Sequence, residues 1–339
     1  MSSMDLVKTA QAMVAEGKGI LAADESTGTC KKRFDAIGVE CTEESRRQYR
    51  EMLITTPGLG EHVSGVIFFD ETLRQSTREG RSFVKVVQDE GILPGIKVDT
   101  GAHPLAGHPG EKVTEGLDGL RARLEEYASL GAKFAKWRAV ITIGESIPTS
   151  ACIEANCHAL ARYASLCQEA GLVPIVEPEV LMDGSHSLDE CYEVSEATLR
   201  SLFNQMYEQN VLLEGAILKA SMVVSGSEAE ERAGVEEVAT ATVQFLLNSV
   251  PAALAGVVFL SGGQGNEEAT AHLDAMNRLG NFPWPLSFSY GRALQAPAIA
   301  TWGENPAANV AAAQRKLAHR ARMNGLATTG EYEASLEAA

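Results

Sequence analysis

Eight short apolar runs recur along this chain at intervals of roughly 30 to 45 residues, the repeat length of a strand and its crossover helix in an eightfold barrel. They are Gly19–Asp24 (GILAAD), Val63–Asp70 (VSGVIFFD), Leu93–Asp99 (LPGIKVD), Phe134–Val140 (FAKWRAV), Leu172–Glu179 (LVPIVEPE), Ala216–Met222 (AILKASM), Gly256–Ser261 (GVVFLS) and Leu286–Tyr290 (LSFSY). Helix-period segments separate them: Glu43–Leu53, Leu117–Leu130, Ser150–Ala170, Ser187–Gln209, Val235–Asn248 and Glu267–Leu279. Thr42 and Ser187 stand where N-caps belong. Strands alternating with helices imply a parallel sheet, and right-handed crossovers close eight of them into a (β/α)8 TIM barrel. No linker or composition shift divides the chain, so residues 1–339 are expected to form one domain. An N-terminal helix at about 4–16 and a C-terminal helix with a short tail at about 308–339, centred on Val310–Asn324, complete it.

The net charge of −16 argues against non-specific binding to nucleic acid or an anionic membrane, but leaves room for a local cationic site. No apolar run approaches the ~20 residues of a membrane span. The opening MDLVKTAQAMVAEG reads as an amphipathic helix rather than a signal peptide. Six scattered cysteines lack a CxxC pair. Cys152, Cys157 and His158 on one helix make a zinc site conceivable, but free thiols in a reducing cytoplasm fit better.

The apolar runs end in charge, on the face where such barrels carry their active sites. Lys219 lies inside LEGAILKASM (Leu213–Met222), which reads as a buried strand. Burial disfavours an ammonium, and a neutral amine attacks carbonyls to give a Schiff base. An ion-paired or snorkelling lysine at a strand end is the alternative. Residues two apart share a strand face, so Lys136 points with Arg138, and Glu177 with Glu179. Asp24, Lys97, Lys136, Glu177 and Lys219 thus form an inward set, with Arg138 and Glu179 beside it. Taken pair by pair, this fits a ring of compensating ion pairs; five strands contributing together favour catalysis. Lys136 is expected to lower the Lys219 pKa by like-charge repulsion, Glu177 to shuttle protons, and Asp24 to position the lysines or act as a base.

Two glycine turns follow the last two runs. LSGGQG (Leu260–Gly265) and SYGRALQ (Ser289–Gln295), the latter bringing Arg292, offer backbone N–H groups, a hydroxyl and a guanidinium. Barrels of this kind bind phosphate at that place. Near the first run, ESTGTCKKR (Glu25–Arg33) supplies more hydroxyls and cations, so a bisphosphorylated substrate can be gripped at both ends.

Seven of these segments in order, LAADESTGTCKKR, GIKVD, FAKWR, PIVEPE, EGAILKASM, FLSGGQ and FSYGRALQ, make the sequence similar to the class I fructose-1,6-bisphosphate aldolases from about Leu6 to about Tyr332. The resemblance implies a cytoplasmic, homotetrameric lyase of glycolysis and gluconeogenesis, with no metal and no cofactor. Its substrates would be fructose 1,6-bisphosphate and the two triose phosphates. It implies Lys219 as the Schiff-base lysine, Glu177 as general acid/base, and Asp24, Lys136 and Glu179 as supporting charges. Ser261, Gly262, Gly291 and Arg292 would hold one phosphate; Ser26, Thr29, Lys32, Arg33, Lys97 and Arg138 would surround the other. The same chemistry on sedoheptulose bisphosphate or another sugar phosphate, and a non-catalytic scaffold with this shell, are the competing readings. The chain departs from the family pattern in Ala220 after the lysine, in Thr29, and in its ending, SLEAA, which lacks a terminal tyrosine. Tyr332 is expected to pack locally and Glu333–Ala339 to fray.

Overall fold

The computed structural model describes residues 3–338. Its eight barrel strands are β1 (Gly19–Ala23), β2 (Val63–Phe68), β3 (Leu93–Lys97), β4 (Phe134–Ile141), β5 (Val173–Val180), β6 (Ile217–Ala220), β7 (Gly256–Phe259) and β8 (Leu286–Tyr290). Each pairs in parallel with its neighbours in sequence, and β8 closes on β1 through Ser289 opposite Ile20 and Tyr290 opposite Leu21. The architecture is a (β/α)8 barrel.

Alternation along the strands builds the interior in layers. Ile20, Ala22, Ile67, Phe134, Val173, Ile175, Ile217 and Val258 form an apolar plug with Leu6, Ala10, Met13 and Val14 from and after the helix Ser3–Met13. Each fully buried Val, Leu, Ile, Phe or Met of the plug contributes about 1.5–3 kcal/mol. Phe134 needs Gly95 across from it: a Cβ there would meet the ring at 2.2 Å, so Gly95→Ala forces the plug apart. Two residues further along the same faces come Asp24 after Ala22, Lys97 after Gly95, Lys136 after Phe134, Glu177 after Ile175 and Lys219 after Ile217. The plug is thus what sets a charged layer at the downstream mouth.

Helices enter as the N-cap chemistry dictates. Thr42 with Ser45, and Ser187 with Glu190, form capping boxes on Glu43–Ile54 and Leu188–Glu208. Each cap contributes about 1 kcal/mol. The helix expected at Leu117–Leu130 is shorter, Leu120–Ser129, because Gly119 at φ +67 breaks the pattern before it.

Four local features differ from expectation. Leu213–Gly215 is a 3-10 turn, and the strand carrying Lys219 begins at Ile217. Residues Gly101–Pro104 and Lys112–Glu115 make an antiparallel hairpin, tied to the next helix by Glu111, which accepts from Thr149 N–H and Oγ1 at 2.6 Å. Its strands are too short and too polar to show alternation. ESTGTCKKR, expected at a helix start, is itself mostly helix: Thr27–Asp35 begins after Ser26 as N-cap, with only Glu25 and Ser26 before it. The tail is docked rather than frayed. Tyr332 is buried and donates its N–H to Asp274 Oδ1 at 2.8 Å, and Glu337 binds His319 and Arg320 of the helix Val310–Ala327. Among the described residues no helix is long and apolar enough to cross a membrane.

Candidate active site

A cavity of about 600 Å³ opens at the downstream ends of the strands. At its base Lys219 Nζ lies 3.0 Å from Glu177 Oε1, and Lys136 Nζ lies 2.7 Å from Asp24 Oδ2 and 3.2 Å from Glu177 Oε2. Glu177 therefore stands between the two lysines and pairs with both. All three side chains are nearly inaccessible. Glu177 Oε2 is within ion-pair range of Lys136 but accepts no hydrogen bond, leaving that oxygen with a free lone pair. The pairing of β4 with β5 sets this geometry, placing Arg138 opposite Glu177 and Val140 opposite Glu179.

Burial and charge pull in opposite directions here. Burial pushes the Asp24 carboxyl up, but Lys136, Lys219 and Lys97 together outweigh it and hold the group well below the usual carboxylate range. At Glu177 burial again pushes up, and Lys136, Lys219 and Arg138 bring the value below the usual one against the opposing Asp24. Burial acts against the Lys136 ammonium, yet Asp24, Glu177 and Asp99 raise its pKa well above that of an ordinary lysine. Lys136 is a fixed cation, and Glu177 is held as the carboxylate.

Around this centre Lys97 pairs with Asp99, and Arg138 Nε with Glu179 Oε2. Lys97, Lys136, Arg138 and Lys219 thus meet Asp24, Asp99, Glu177 and Glu179, four cations against four carboxylates. Arg292 is different. It is exposed at the rim and has no carboxylate partner among the described residues. It opens the helix Arg292–Glu304, whose N-cap Gly291 provides no side-chain cap for the first turn. Ser261 lines the cavity beside Gly262 and Gly263, at φ +55 and +104, a turn that only glycine takes without strain. Ser289 Oγ, also on the wall, is buried without a partner. Uncapped N–H groups, an unpaired guanidinium and a spare hydroxyl form a seat for an anion.

Asp24, Ser26, Thr29, Arg33, Lys97, Lys136, Arg138, Glu177, Glu179, Lys219, Ser261, Gly262, Gly291 and Arg292 all line the cavity. Lys32 does not: Thr29 and Arg33, four apart, share the inner face of their helix, and Lys32 is one step round it in solvent. Nor are the two anion clusters fully separate. Arg33 Nη2 lies 3.8 Å from where a Gly291 Cβ would stand, so the first-strand group touches the last-strand cradle. The sequence reading missed Asp99, Glu25 and Ser289 on the wall. Asp99 and Ser289 sit two residues from Lys97 and Ser287 on inward faces, a signal that alternation contains. Among the described residues no three His, Cys, Asp or Glu side chains gather as metal ligands.

The family model for class-I fructose-bisphosphate aldolase matches residues 5–339. The chain belongs to the class I fructose-bisphosphate aldolase family. It is 65% identical over 333 residues to a Xanthomonas campestris protein named "Probable fructose-bisphosphate aldolase class 1", covering 98% of this chain and all of that one. It is 52% identical to the Dictyostelium discoideum fructose-bisphosphate aldolase, covering 97% of this chain and 92% of the relative. The solved fructose-bisphosphate aldolase of Plasmodium falciparum, crystallised with TRAP and a small-molecule inhibitor, superposes with a TM-score of 0.96 at 50% identity, over 98% of this chain and 96% of that one. As a class I aldolase the protein is a lyase of glycolysis, and its reaction is the cleavage of fructose 1,6-bisphosphate.

Proposed function

We propose that Lys219 attacks the substrate's ketone carbon to form a Schiff base and that Glu177 moves the protons of the reaction. The observation that carries this reading is the 3.0 Å approach of Lys219 Nζ to Glu177 Oε1 at the closed end of the cavity. Attack requires the amine to give up a proton, and the ionised carboxylate beside it is the acceptor. The carbinolamine formed by attack then loses its hydroxyl as water, with Glu177 returning the proton. Glu177 Oε2, free of hydrogen bonds, faces the role of receiving the C4 hydroxyl proton as the C3–C4 bond breaks. The bond's electron pair flows into the iminium, glyceraldehyde 3-phosphate leaves, and the enamine of dihydroxyacetone phosphate remains. Protonation of the enamine and hydrolysis release the second product and restore the lysine.

Lys136 and Asp24 support these steps as a fixed ion pair that orients Glu177. Glu179 orients Arg138. Ser261, Gly262, Gly291 and Arg292 hold the phosphate next to the ketone, and Ser26, Thr29, Arg33, Lys97 and Arg138 surround the other. We further propose that the protein works in the cytoplasm as a homotetramer, in the reverse direction serving gluconeogenesis. Light scattering on the purified protein gives the oligomeric state directly.

Glu177→Gln tests the proton-transfer role. Turnover of fructose 1,6-bisphosphate is expected to fall by about a hundredfold or more, the scale of general acid–base catalysis. Turnover within tenfold of the parent overturns it. Sedoheptulose bisphosphate assayed beside it ranks the two substrates.

A further inference from the structure

One buried charge cluster lies behind the cavity wall. Arg50, from the helix Glu43–Ile54, is 2% exposed and lines no part of the cavity. Its Nη2 donates to Glu25 Oε2 at 2.6 Å and to the Glu25 carbonyl at 3.1 Å, and its Nη1 to Thr72 Oγ1 at 2.7 Å. The other Glu25 oxygen, Oε1, accepts from Arg33 Nη1. Arg33 also reaches Gln295 Oε1 at 3.4 Å. Gln295 is wholly buried, donates to the Ala22 carbonyl at 2.6 Å and accepts from Tyr49 Oη at 2.7 Å.

We propose that Arg50 is a positioning residue: by clamping both the carboxylate and the backbone of Glu25, it fixes the Arg33 guanidinium against the cavity beside Gly291. Stability is a poor reason for such a cluster. A buried ion pair replaced by apolar groups is commonly no less stable, and here Arg50 Nε is left buried without any partner. What the fork does supply is direction. Arg50 binds one Glu25 carboxylate oxygen, so only the other is open to Arg33, and the Glu25 side chain cannot swing without breaking its bond to an Arg50 that Thr72 and the Glu25 carbonyl hold in place. Without that anchor the Glu25–Arg33 pair, 23% exposed on the arginine side and 5% on the glutamate side, has nothing to fix its direction. Arg33 then samples several positions, and a phosphate must select one of them. The proposal rests on the assignment of Arg33 to substrate phosphate made above.

The test is a double-mutant cycle on the intact protein with Arg50→Lys, Arg33→Ala and their combination, reading KM and kcat for fructose 1,6-bisphosphate and the inhibition constant of inorganic phosphate. Lysine keeps the charge and so the ion pair, but cannot fork between Glu25 and Thr72. Arg50→Lys is expected to raise KM and the phosphate inhibition constant three- to tenfold with kcat within twofold. On the Arg33→Ala background it adds less than twofold. The same factor on both backgrounds, or a fall in kcat at unchanged KM, shows a merely structural arginine and overturns the proposal. Arg33→Ala leaving phosphate inhibition unchanged instead removes the assignment of Arg33, and the proposal with it. If Arg50→Lys does not fold, the cycle is run with Thr72→Val, which removes only the Nη1 acceptor. Its expected effect is two- to threefold on KM, again absent in the Arg33→Ala background, and equal effects on both backgrounds contradict the proposal.

Discussion

Glu337, in the last turn of the chain, is ion-paired to Arg320, a side chain 4% exposed in the helix Val310–Ala327. The same carboxylate lies 2.8 Å from His319 Nε2 and accepts from Tyr332 Oη at 3.1 Å. Arg320 in turn donates through Nη2 to the Asn266 carbonyl, at the start of the helix that follows the LSGGQG turn. The tail is therefore a strut on the frame of the anion seat.

Glu337→Gln, or deletion of residues 333–339, leaves the Arg320 guanidinium buried and short of its anion. The expected loss is about 1.5–3 kcal/mol of unfolding free energy, the scale of a hydrogen bond to a charged group. Urea denaturation measures it. A truncated protein with unchanged midpoint and slope shows that the tail contributes nothing.

The ion pairs at the cavity base give a defined pH response. Asp24 and Glu177 are held below their ordinary values of 3.8 and 4.5, so their stabilisation is complete above those values. It is lost as pH falls through the depressed folded values, where the native carboxylates finally protonate. Lys136 is raised above 10.5, and its contribution is lost only as pH rises beyond that raised value. Melting temperature is therefore expected to be flat from about pH 5 to 9 and to drop below about pH 4, with a shallower acid limb in Asp24→Asn. An identical acid limb in that variant places the loss elsewhere.

Arg292→Ala removes a rim cation that no carboxylate neutralises among the described residues. Binding of dihydroxyacetone phosphate, measured by calorimetry, is expected to weaken by about 1.5–3 kcal/mol. Unphosphorylated ketoses are expected to be affected far less. Equal losses on both make the arginine structural.

The barrel was legible because its strands are set by alternation and spacing, both local in sequence. Phe134, Lys136 and Arg138 share a face whatever packs around them. The inward charges followed from that rule; Asp99 obeys it too, two residues after Lys97, but was missed. Arg50 follows no such rule. It is one of three arginines in EESRRQYREMLI, all ion-paired, and only its packing against Glu25 and Thr72 separates it from Arg46 and Arg47. The docked tail was equally hidden, since Glu337 finds Arg320 across a turn that SLEAA does not announce. Lys32 was misplaced for the opposite reason: the resemblance gave it to the phosphate with its neighbours Thr29 and Arg33, and from Thr27 on the segment is a helix with two faces.

Lys219 is the centre of the whole account, and one measurement addresses it. The protein is incubated with dihydroxyacetone phosphate, reduced with borohydride and analysed by peptide mass spectrometry, with Lys219→Ala as the paired sample. The expected result is one covalent adduct, on the peptide containing Lys219, and neither adduct nor turnover in the variant, whose fold persists because alanine suits the buried strand. An adduct on another lysine, or a Lys219→Ala protein that cleaves fructose 1,6-bisphosphate within tenfold of the parent rate, contradicts it.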